Sequence, residues 1–431
     1  MNPPDYDVLG IGFGPSNLAL AIALDEANRV DGAGCNFHFL ERQPRFTWHG
    51  GMLLPGSDMQ ISFLKDLVSL RDPTSPLTFV NYLHKQGRLE DFANCKTFYP
   101  SRVEFNDYLR WVADTFASSC SYGENVVAVE PVHEGSTVTA LRVVSRSASG
   151  RESVRQTRGL VVAVGGAPHI PDLFKPLAGD PRMLHSSRYL DLIDQRGLDK
   201  EGARVAVIGG GQSAAEITVD LQSRFPQARI DLIFRGHSLK PSDSSPFVNE
   251  IFHPSYTDFV YDLSEDDREA VVRTFRNTNY AVVDPDLLEA LHKILYQQKV
   301  EGSSQVNLLP RSQITTVTTS GESIAVATED RFAEASQQTL YDAVILATGY
   351  ERSLLQPFLE PIVDQIEQLS VDRAYRLKMR DGFLPRIHLQ GYSETSHGLS
   401  DTLLSVLAIR SQEIARSIAS MSHDMSRHRY E

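Results

Sequence analysis

The chain has 431 residues, of which 41% are hydrophobic and 23% charged, with 28 Gly and 22 Pro. This ordinary globular composition excludes wholesale disorder, a collagen-like chain and a coiled coil. The chain has 42 basic and 55 acidic residues, which gives a formal net charge of −13. A chain with that balance is a poor candidate for a general nucleic-acid binder or a membrane-surface protein, although local basic sites for small anions stay open.

The three cysteines, Cys35, Cys95 and Cys120, are too few and too scattered for a disulfide framework or a zinc site. We expect free thiols in a reducing compartment and no bound metal. The apolar stretch at residues 8–24 lacks a basic region before it and is broken by Gly and Pro, so it predicts neither a signal peptide nor a membrane span. We therefore expect a cytoplasmic protein with no nucleic-acid or membrane partner.

The first predicted unit is a strand, a glycine turn, a helix and a second strand. An apolar run meets Gly12 and Gly14, and a second apolar run ends in Glu41. Gly12 permits the tight turn, Gly14 lets the backbone approach a pyrophosphate, and the helix N-terminus offers free N–H groups. Asn17 replaces the usual third glycine, whereas Glu41 is placed to accept hydrogen bonds from an adenosine ribose. The pattern predicts a dinucleotide site, with a purely structural turn as the alternative.

A second unit of the same kind occupies residues 204–235, with the turn Gly209-x-Gly211-x-x-Ala214. Its second strand ends at Arg235 instead of an acid. A guanidinium pairs with a ribose 2′-phosphate, which a carboxylate repels, so this unit is predicted to prefer NADP over NAD. The alternative for Arg235 is a solvent-exposed surface arginine. Apolar runs at 160–164 and 343–347 lead into glycine turns and bracket the second unit.

Two such units predict an α/β fold with two Rossmann-like dinucleotide-binding domains, the second inserted into the first. We expect residues 1–168 to begin an FAD-binding domain and residues 341–431 to complete it. Residues 169–340 are predicted to form the NADPH-binding domain, and residues 241–300 within it a small helical region. FAD and NADPH together indicate an electron pathway. Because no Cys-x-x-Cys pair and no iron–sulfur or haem spacing is present, molecular oxygen is favoured as the acceptor.

The chain resembles the microbial N-hydroxylating flavin monooxygenases, the ornithine and lysine N-hydroxylases of hydroxamate-siderophore synthesis. The matching segments span nearly the whole chain, from about residue 7 to residue 408. They are residues 12–18, 59–67, 72–76, 209–216, 241–250, 277–280, 342–350 and 397–401. The family's FAD turn itself carries Asn at position 17. The resemblance implies that the helical region, residues 241–300, binds substrate. Its matching segments are more similar to those of ornithine hydroxylases than to those of lysine hydroxylases.

The resemblance implies an activity. Reduced FAD reacts with oxygen to give a C4a-hydroperoxyflavin, bound NADP⁺ shields it, and the side-chain amine of L-ornithine takes the distal oxygen. The product is N5-hydroxyornithine, for a hydroxamate siderophore or a related natural product. The resemblance also implies a homo-oligomer, either a dimer or a tetramer.

The resemblance further implies roles for individual residues. Lys65 and Asn249 hold the amino acid's carboxylate, whereas Asn279 and the backbone near Ser400 hold its α-amino group. Gln60 lies near the reactive edge of the flavin, and Gln60 and Asn279 are the residues closest to catalytic in a site where the flavin does the chemistry. The predicted cofactor contacts are Gly12, Gly14, Pro15, Ser16, Asn17, Glu41, Trp48, His49, Gln60, Gly209, Gly211, Gln212, Ser213, Arg235 and Leu399.

Each of these roles has a structural alternative. Trp48 is equally expected in the core, Ser213 as a helix cap, Lys65 as a solvated helix lysine and Asn249 as a turn residue. The competing activities are N6-hydroxylation of L-lysine and N-hydroxylation of a diamine such as putrescine or cadaverine. Lys65 argues against diamines, which have no carboxylate. More distant alternatives are an NADPH-dependent disulfide, ferredoxin or flavin reductase, and a non-enzymatic flavin or NADPH sensor.

Overall fold

The two glycine turns lie on two separate parallel sheets. The computed structural model describes residues 4–30, 32, 34–333 and 335–427, with side chains of the last helix described up to residue 420. The strands are β1 (Tyr6–Ile11), β2 (Phe37–Glu41), β3 (Cys120–Tyr122), β4 (Glu124–Glu134), β5 (Thr137–Ser147), β6 (Glu152–Val162), β7 (Ala167–Pro168), β8 (Met183–His185), β9 (Arg204–Ile208), β10 (Arg229–Ile233), β11 (Val306–Leu309), β12 (Ser312–Ser320), β13 (Ser323–Asp330), β14 (Ser336–Tyr341), β15 (Ala343–Leu346), β16 (Tyr350–Glu351), β17 (Ile366–Val371), β18 (Leu377–Met379) and β19 (Arg386–Leu389).

The helices flank these sheets, and none of those in the described part of the chain is long and apolar enough to cross a bilayer. They are α1 (Pro15–Val30), α2 (Phe79–Lys85), α3 (Leu89–Asn94), α4 (Arg102–Thr115), α5 (Tyr189–Leu192), α6 (Gln212–Arg224), α7 (Pro254–Asp262), α8 (Glu265–Phe275), α9 (Pro285–Glu301), α10 (Glu394–His397) and α11 (Leu407–Arg427).

The first sheet has a parallel part in the order β3-β2-β1-β6-β19. The first half of the long strand β6 also pairs antiparallel with β5, and β5 with β4. Strand β19 joins β6 more than 220 residues later in the chain, so the C-terminal segment returns to complete this sheet. Helix α1, which follows β1, is buried along its first half and packs against α11.

The second sheet is wholly parallel, in the order β11-β10-β9-β15-β8. Helix α6 follows β9, and α9 packs against α6 on one face. An antiparallel sheet, β12-β13-β14, covers the other side through apolar side chains such as Ile324 and Val326. The predicted two-sheet α/β architecture is therefore confirmed.

The structure differs from the predicted domain boundary at residue 340. The sequence pattern predicts that residues 341–431 complete the first domain, but β15 pairs with β8 and β9 in the second sheet. An apolar run ending at a glycine has the same sequence pattern in either sheet, so the pattern did not distinguish them. The chain crosses back only after β15, where β16 pairs antiparallel with β7 and forms a short ribbon between the sheets.

The region predicted to be helical, residues 241–300, contains a short 3₁₀ turn (Val248–Phe252) followed by α7, α8 and α9, the last of which ends at Glu301. Ser264 caps α8, since its side chain accepts from the backbone N–H of Asp267. Helices α7 and α8 contact α10, and the 3₁₀ turn contacts a second 3₁₀ turn, Leu399–Thr402. The helical region therefore lies against the returning C-terminal segment.

Candidate functional site

The first glycine turn leaves open space in front of α1. Gly12 has φ of +84°, and a Cβ there would lie 2.6 Å from the carbonyl oxygen of Ala163. A Cβ at Gly14 would have no heavy atom within 4 Å, so the open side of this glycine faces no protein group. Pro15 is the first residue of α1, where a missing N–H costs nothing. A side chain at Gly14 would fill the space that a pyrophosphate needs, so the turn fits a dinucleotide.

Asn17 explains why this turn needs no third glycine. Its buried Nδ2 donates to the carbonyl oxygen of Gly12 at 2.6 Å, and its Oδ1 accepts from Nε2 of Gln390 at 3.0 Å. The side chain therefore braces the turn and ties it to the returning segment. Glu41, at the end of β2, accepts from the backbone N–H groups of Phe13 and Gln43, both at 2.8 Å. Its carboxylate is thus held at the turn, where a ribose is expected.

The start of α1 is also fixed by an arginine that sequence reasoning missed. Arg410 on α11 donates to Oγ of Ser16 at 3.1 Å and pairs with Asp401 at 2.9 Å. Arg410 is 2% exposed and Asp401 1%. Asp401 in turn accepts from the backbone N–H of Ser393 at 2.7 Å. A lone arginine in an amphipathic helix gives no sequence signal for this buried pair, which positions the Leu399–Thr402 turn beside the first nucleotide turn.

Trp48 and His49 lie at the junction of the two sheets. Trp48 packs on Phe105 against the core, with ring centroids 6.1 Å apart, as expected for the structural alternative to its predicted flavin contact. His49 adopts a left-handed backbone conformation, and its ring lies 6.0 Å from that of Tyr350. Desolvation by surrounding protein, with smaller effects from nearby arginines, lowers the pKa of His49 to about 4. The imidazole is therefore neutral at pH 7.

The second glycine turn has the same construction as the first. Gly209 has φ of +146°, and a Cβ there would lie 2.3 Å from the carbonyl oxygen of Ala347. Gly211 is the N-cap of α6, so the first N–H groups of this helix have no side-chain cap. Ser213 lies inside the helix and does not cap it, contrary to the alternative considered above. Arg235 is exposed beyond the end of β10, and no described residue pairs with its guanidinium.

Lys65 lies beside the 3₁₀ turn that contains Asn249. Lys65 ends a short 3₁₀ turn, Phe63–Lys65, and its Nζ lies 5.5 Å from the ring centroid of Phe252. Phe252 ends the turn that contains Asn249, whose Nδ2 donates to the carbonyl oxygen of Ser244 at 3.0 Å. Burial lowers the pKa of Lys65. Since Lys65 makes no salt bridge within the described residues, its charge is available to an anionic ligand.

Asn279 and Ser400 approach the same region from two further segments. Asn279 follows a 3₁₀ turn, Arg276–Thr278, and is half-buried. Its neighbour Tyr280 donates to Oε2 of Glu394 at 2.5 Å, which ties this segment to α10, just before Leu399 and Ser400. Leu399 and Ser400 are 5% and 1% exposed. Both residues therefore lie in the interior beside α10.

Gln60 is linked to the second glycine turn through residues that the motifs did not indicate. Its Nε2 donates to Oδ1 of Asp284 at 3.1 Å. The backbone N–H of Asp284 donates to Oε1 of Gln212 at 2.8 Å. Gln212 donates to Glu216 at 2.8 Å, and Glu216 pairs with Arg102. The side chains predicted for the flavin edge and for the nicotinamide nucleotide are therefore connected by one acid.

Two glycine turns on two parallel sheets, one followed by an acid and the other by an arginine, define a two-dinucleotide oxidoreductase fold. A model of the family described as L-lysine 6-monooxygenase/L-ornithine 5-monooxygenase matches residues 5–352. The L-ornithine N(5)-monooxygenase of Pseudomonas aeruginosa is 48% identical over 414 residues, which cover 96% of this chain and 93% of that relative. The chain therefore belongs to the L-lysine 6-monooxygenase/L-ornithine 5-monooxygenase family.

Solved structures agree with this assignment. The ornithine hydroxylase from Pseudomonas aeruginosa superimposes with a TM-score of 0.93 at 48% identity, covering 96% of this chain and 99% of that one. The ornithine N-hydroxylase from Kutzneria sp. 744, described with reduced FAD, NADP⁺ and L-ornithine, gives a TM-score of 0.91 at 36% identity, covering 97% and 100%. The predicted family and the prediction of a flavin-dependent monooxygenase are confirmed.

Proposed function

We propose that this protein is an FAD- and NADPH-dependent L-ornithine N5-monooxygenase. The observation that carries the proposal is Lys65, a half-buried ammonium beside Phe252 and the Asn249 turn that has no acidic partner among the described residues. A buried cation without a partner is costly unless a ligand supplies the counter-charge. An amino-acid carboxylate supplies it, and the names of the relatives at 48% identity or more indicate ornithine.

The two nucleotide turns suit two different cofactors. Gly12, Gly14, Pro15, Ser16 and the α1 N-terminus would hold the pyrophosphate of FAD, with Glu41 at its ribose. Trp48, His49, Gln60 and Leu399 are proposed to lie around the flavin ring. When bound, FAD supplies the oxygen-activating chemistry and NADPH the reducing equivalents.

The second turn would hold NADPH. Gly209, Gly211 and the uncapped start of α6 offer N–H groups to the pyrophosphate, with Gln212 and Ser213 alongside. Arg235 would pair with the 2′-phosphate. The amide of Gln212 is already used by Asp284 and Glu216, so we propose that Gln212 shapes the turn and that Ser213, which is free of a capping role, makes the direct contact.

The substrate would be oriented by its two ends. Lys65 and Asn249 hold the carboxylate, and Asn279 with the backbone at Ser400 holds the α-amino group. Fixing one end of the amino acid sets how far its side-chain amine reaches toward the flavin. Lysine is one methylene longer than ornithine, and a diamine offers nothing to Lys65, so this arrangement favours ornithine over both.

Product analysis tests the proposal. Purified protein with FAD, NADPH and oxygen is offered ornithine, lysine, putrescine and cadaverine in parallel, and hydroxylamines are identified by mass spectrometry while oxygen uptake is recorded. We expect N5-hydroxyornithine as the main product, with oxygen consumed in step with it. A main product from lysine or a diamine would establish one of the alternatives, and NADPH oxidation without any hydroxylamine would establish a reductase. The homo-oligomeric state and the cytoplasmic location stay predictions.

A further inference from the structure

A buried ion pair joins helices that belong to the two different sheets. Arg102, the first residue of α4, donates from Nη1 to Oε2 of Glu216 at 2.8 Å and from Nη2 to Oε1 at 2.6 Å. The two side chains are only 14% and 6% exposed. A two-bond guanidinium–carboxylate pair fixes direction as well as distance. Glu216 lies on α6, one turn after the glycine turn proposed for NADPH, so this pair holds that helix against α4.

A hydrogen bond connects this ion pair to the first residue of α6, Gln212. Gln212, four residues before Glu216, donates from Nε2 to Oε1 of Glu216 at 2.8 Å. Its Oε1 accepts from the backbone N–H of Asp284 at 2.8 Å. Both ends of the Gln212 amide are therefore occupied by protein groups, and the side chain is held between α6 and the start of α9.

Asp284 uses its carboxylate in an unusual way for its position. It occupies the N-cap of α9, where an aspartate ordinarily accepts from the first-turn N–H groups of its own helix. It makes no such bond. Its Oδ1 accepts instead from Nε2 of Gln60 at 3.1 Å and from Oγ of Ser242 at 3.2 Å. The carboxylate of Asp284 thus binds Gln60, 224 positions earlier in the sequence, and does not cap the helix that follows it.

Backbone hydrogen bonds connect Gln60 back to Arg102, so that Arg102, Glu216, Gln212, Asp284 and Gln60 form a closed series of contacts, called the ring below. Arg102 donates its N–H to the carbonyl oxygen of Ser57 at 2.9 Å, and Met59 donates to that of Pro100 at 2.8 Å. The segment that carries Gln60 is therefore bonded to the start of α4, and the first residue of α4, Arg102, makes the ion pair with Glu216. The ring passes through the first sheet's helix α4, the second sheet's helix α6 and the helical region, and it includes one candidate cofactor residue from each dinucleotide unit.

We infer that Asp284 is a positioning residue that fixes the first turn of α6 against the Gln60 segment, and so sets the spacing between the two dinucleotide sites. The predicted effect on NADP⁺ binding rests on the proposed function. The restraint of the α6 turn by these hydrogen bonds does not. Removing the carboxylate leaves the backbone N–H of Asp284 bonded to Gln212 but frees Gln60 and Ser242. The α6 turn then loses its indirect connection to the Gln60 segment. NADP⁺ binding then weakens because the turn must be ordered when the nucleotide binds, while the FAD turn, which lies outside the ring, is unaffected.

Two variants and a matched control test the inference. Asp284→Ala removes the link, whereas Asp284→Asn keeps an oxygen that can accept from Gln60. Asp286→Ala is the control, because it removes an exposed carboxylate from the same helix start. NADP⁺ affinity is measured by titration calorimetry on the FAD-loaded protein without amine. We expect the dissociation constant to rise roughly 5- to 20-fold in Asp284→Ala and to change less than about threefold in the other two, since one or two hydrogen bonds are lost.

Hydrogen–deuterium exchange of the nucleotide-free protein gives a readout that does not depend on cofactors. Asp284→Ala should speed exchange in residues 56–62 and 209–216 together. Gln60→Ala, a change at an exposed position, should also speed exchange in 209–216, although Gln60 belongs to the other dinucleotide unit. Unchanged exchange in 209–216 in both variants, or equal NADP⁺ affinity in Asp284→Ala and Asp286→Ala, contradicts the inference. If wild type binds no NADP⁺ but the exchange results are as expected, the proposed cofactor is wrong, whereas the restraint of the α6 turn by Asp284 is supported.

Discussion

The ammonium of Lys65 lies 5.5 Å from the ring centroid of Phe252, in the turn that also carries Asn249. This cation–π contact joins a segment of the first unit to the helical region and places a positive charge between them. Phe252 offers the ammonium a polarizable surface but no counter-charge. The charge is thus positioned by the protein and left for a ligand to neutralise, which is the basis of the substrate assignment.

The lowered pKa of Lys65 predicts how ornithine binding depends on pH. Burial favours the neutral amine, so as pH rises this ammonium loses its proton earlier than an ordinary lysine, whose pKa is 10.5, and binding of the carboxylate is lost. The KM for ornithine should therefore rise on the alkaline side in wild type. In Lys65→Arg the guanidinium stays charged and this rise should be smaller. Initial rates from about pH 7.5 to 10 check this, and an identical alkaline rise in both proteins would assign it to the substrate's own amines.

Arg235 predicts cofactor preference. Arg235→Ala should weaken NADPH use by about 1.5–3 kcal/mol, roughly 10- to 150-fold in kcat/KM, because a charge-assisted bond to the 2′-phosphate is lost. NADH lacks that phosphate, so its use should barely change. Arg229→Ala, at the other end of the same strand β10 and also exposed, is the control. Equal losses with NADPH and NADH would mean that Arg235 supports the structure and not the phosphate.

The two glycines of the first turn predict opposite consequences for folding. Gly14→Ala places a methyl group where no protein atom lies within 4 Å, so the apoprotein should keep its melting temperature. FAD affinity should nevertheless fall about tenfold or more, because the methyl occupies the pyrophosphate space. Gly12→Ala combines a positive φ with a 2.6 Å approach to the carbonyl oxygen of Ala163 and should destabilise the protein itself. Normal FAD affinity in Gly14→Ala would place the pyrophosphate elsewhere.

Two buried histidines predict loss of stability in mild acid. His388 and His397 are fully buried, and burial lowers their pKa values from 6.5 to about 3 and about 4. Below pH 6.5 these histidines are protonated in the unfolded chain but stay neutral in the native state. The free energy of unfolding therefore falls as the pH falls toward the native-state pKa values. Each histidine should cost about 1.6 kcal/mol between pH 6.5 and 5.

Urea unfolding across that pH range measures the effect. His388→Gln should flatten the dependence by about 1.1 kcal/mol per pH unit on average over this range, with about 1.4 as the limit for one full proton. The same change at exposed His84 provides the control for a general effect of the substitution. A dependence as steep in His388→Gln as in wild type would show that other groups cause the acid instability.

The parts of the fold that could be predicted are those encoded locally. An apolar strand followed by a glycine turn and a helix recurs around Gly12 and Gly209, and both turns have the backbone that only glycine adopts easily. Glu41 and Arg235 could be placed because they follow the second strand of each unit. Strand β15 could not be assigned to its sheet, since its partners β8 and β9 lie far away in sequence.

The parts of the site that could not be predicted depend on pairs of residues with no spacing signal. Arg102 and Glu216 are 114 positions apart, and Gln60 and Asp284 are 224 apart. Arg410 reaches Ser16 from the other end of the chain. Each of these polar or charged residues, taken singly, is equally typical of a solvated surface. Only the packing of the two sheets against the helical region brings the partners together.

Lys65 is proposed to select an amino acid over a diamine, and one comparison tests this role most directly. Hydroxylamine formation and hydrogen peroxide release are measured for wild type and Lys65→Ala with ornithine and with putrescine. We expect Lys65→Ala to lose about 1.5–3 kcal/mol in kcat/KM for ornithine, roughly 10- to 150-fold, and to release more peroxide per NADPH, while putrescine turnover is unchanged or improved. If ornithine turnover and its coupling survive the substitution, another residue holds the carboxylate and the assignment of the substrate site is wrong.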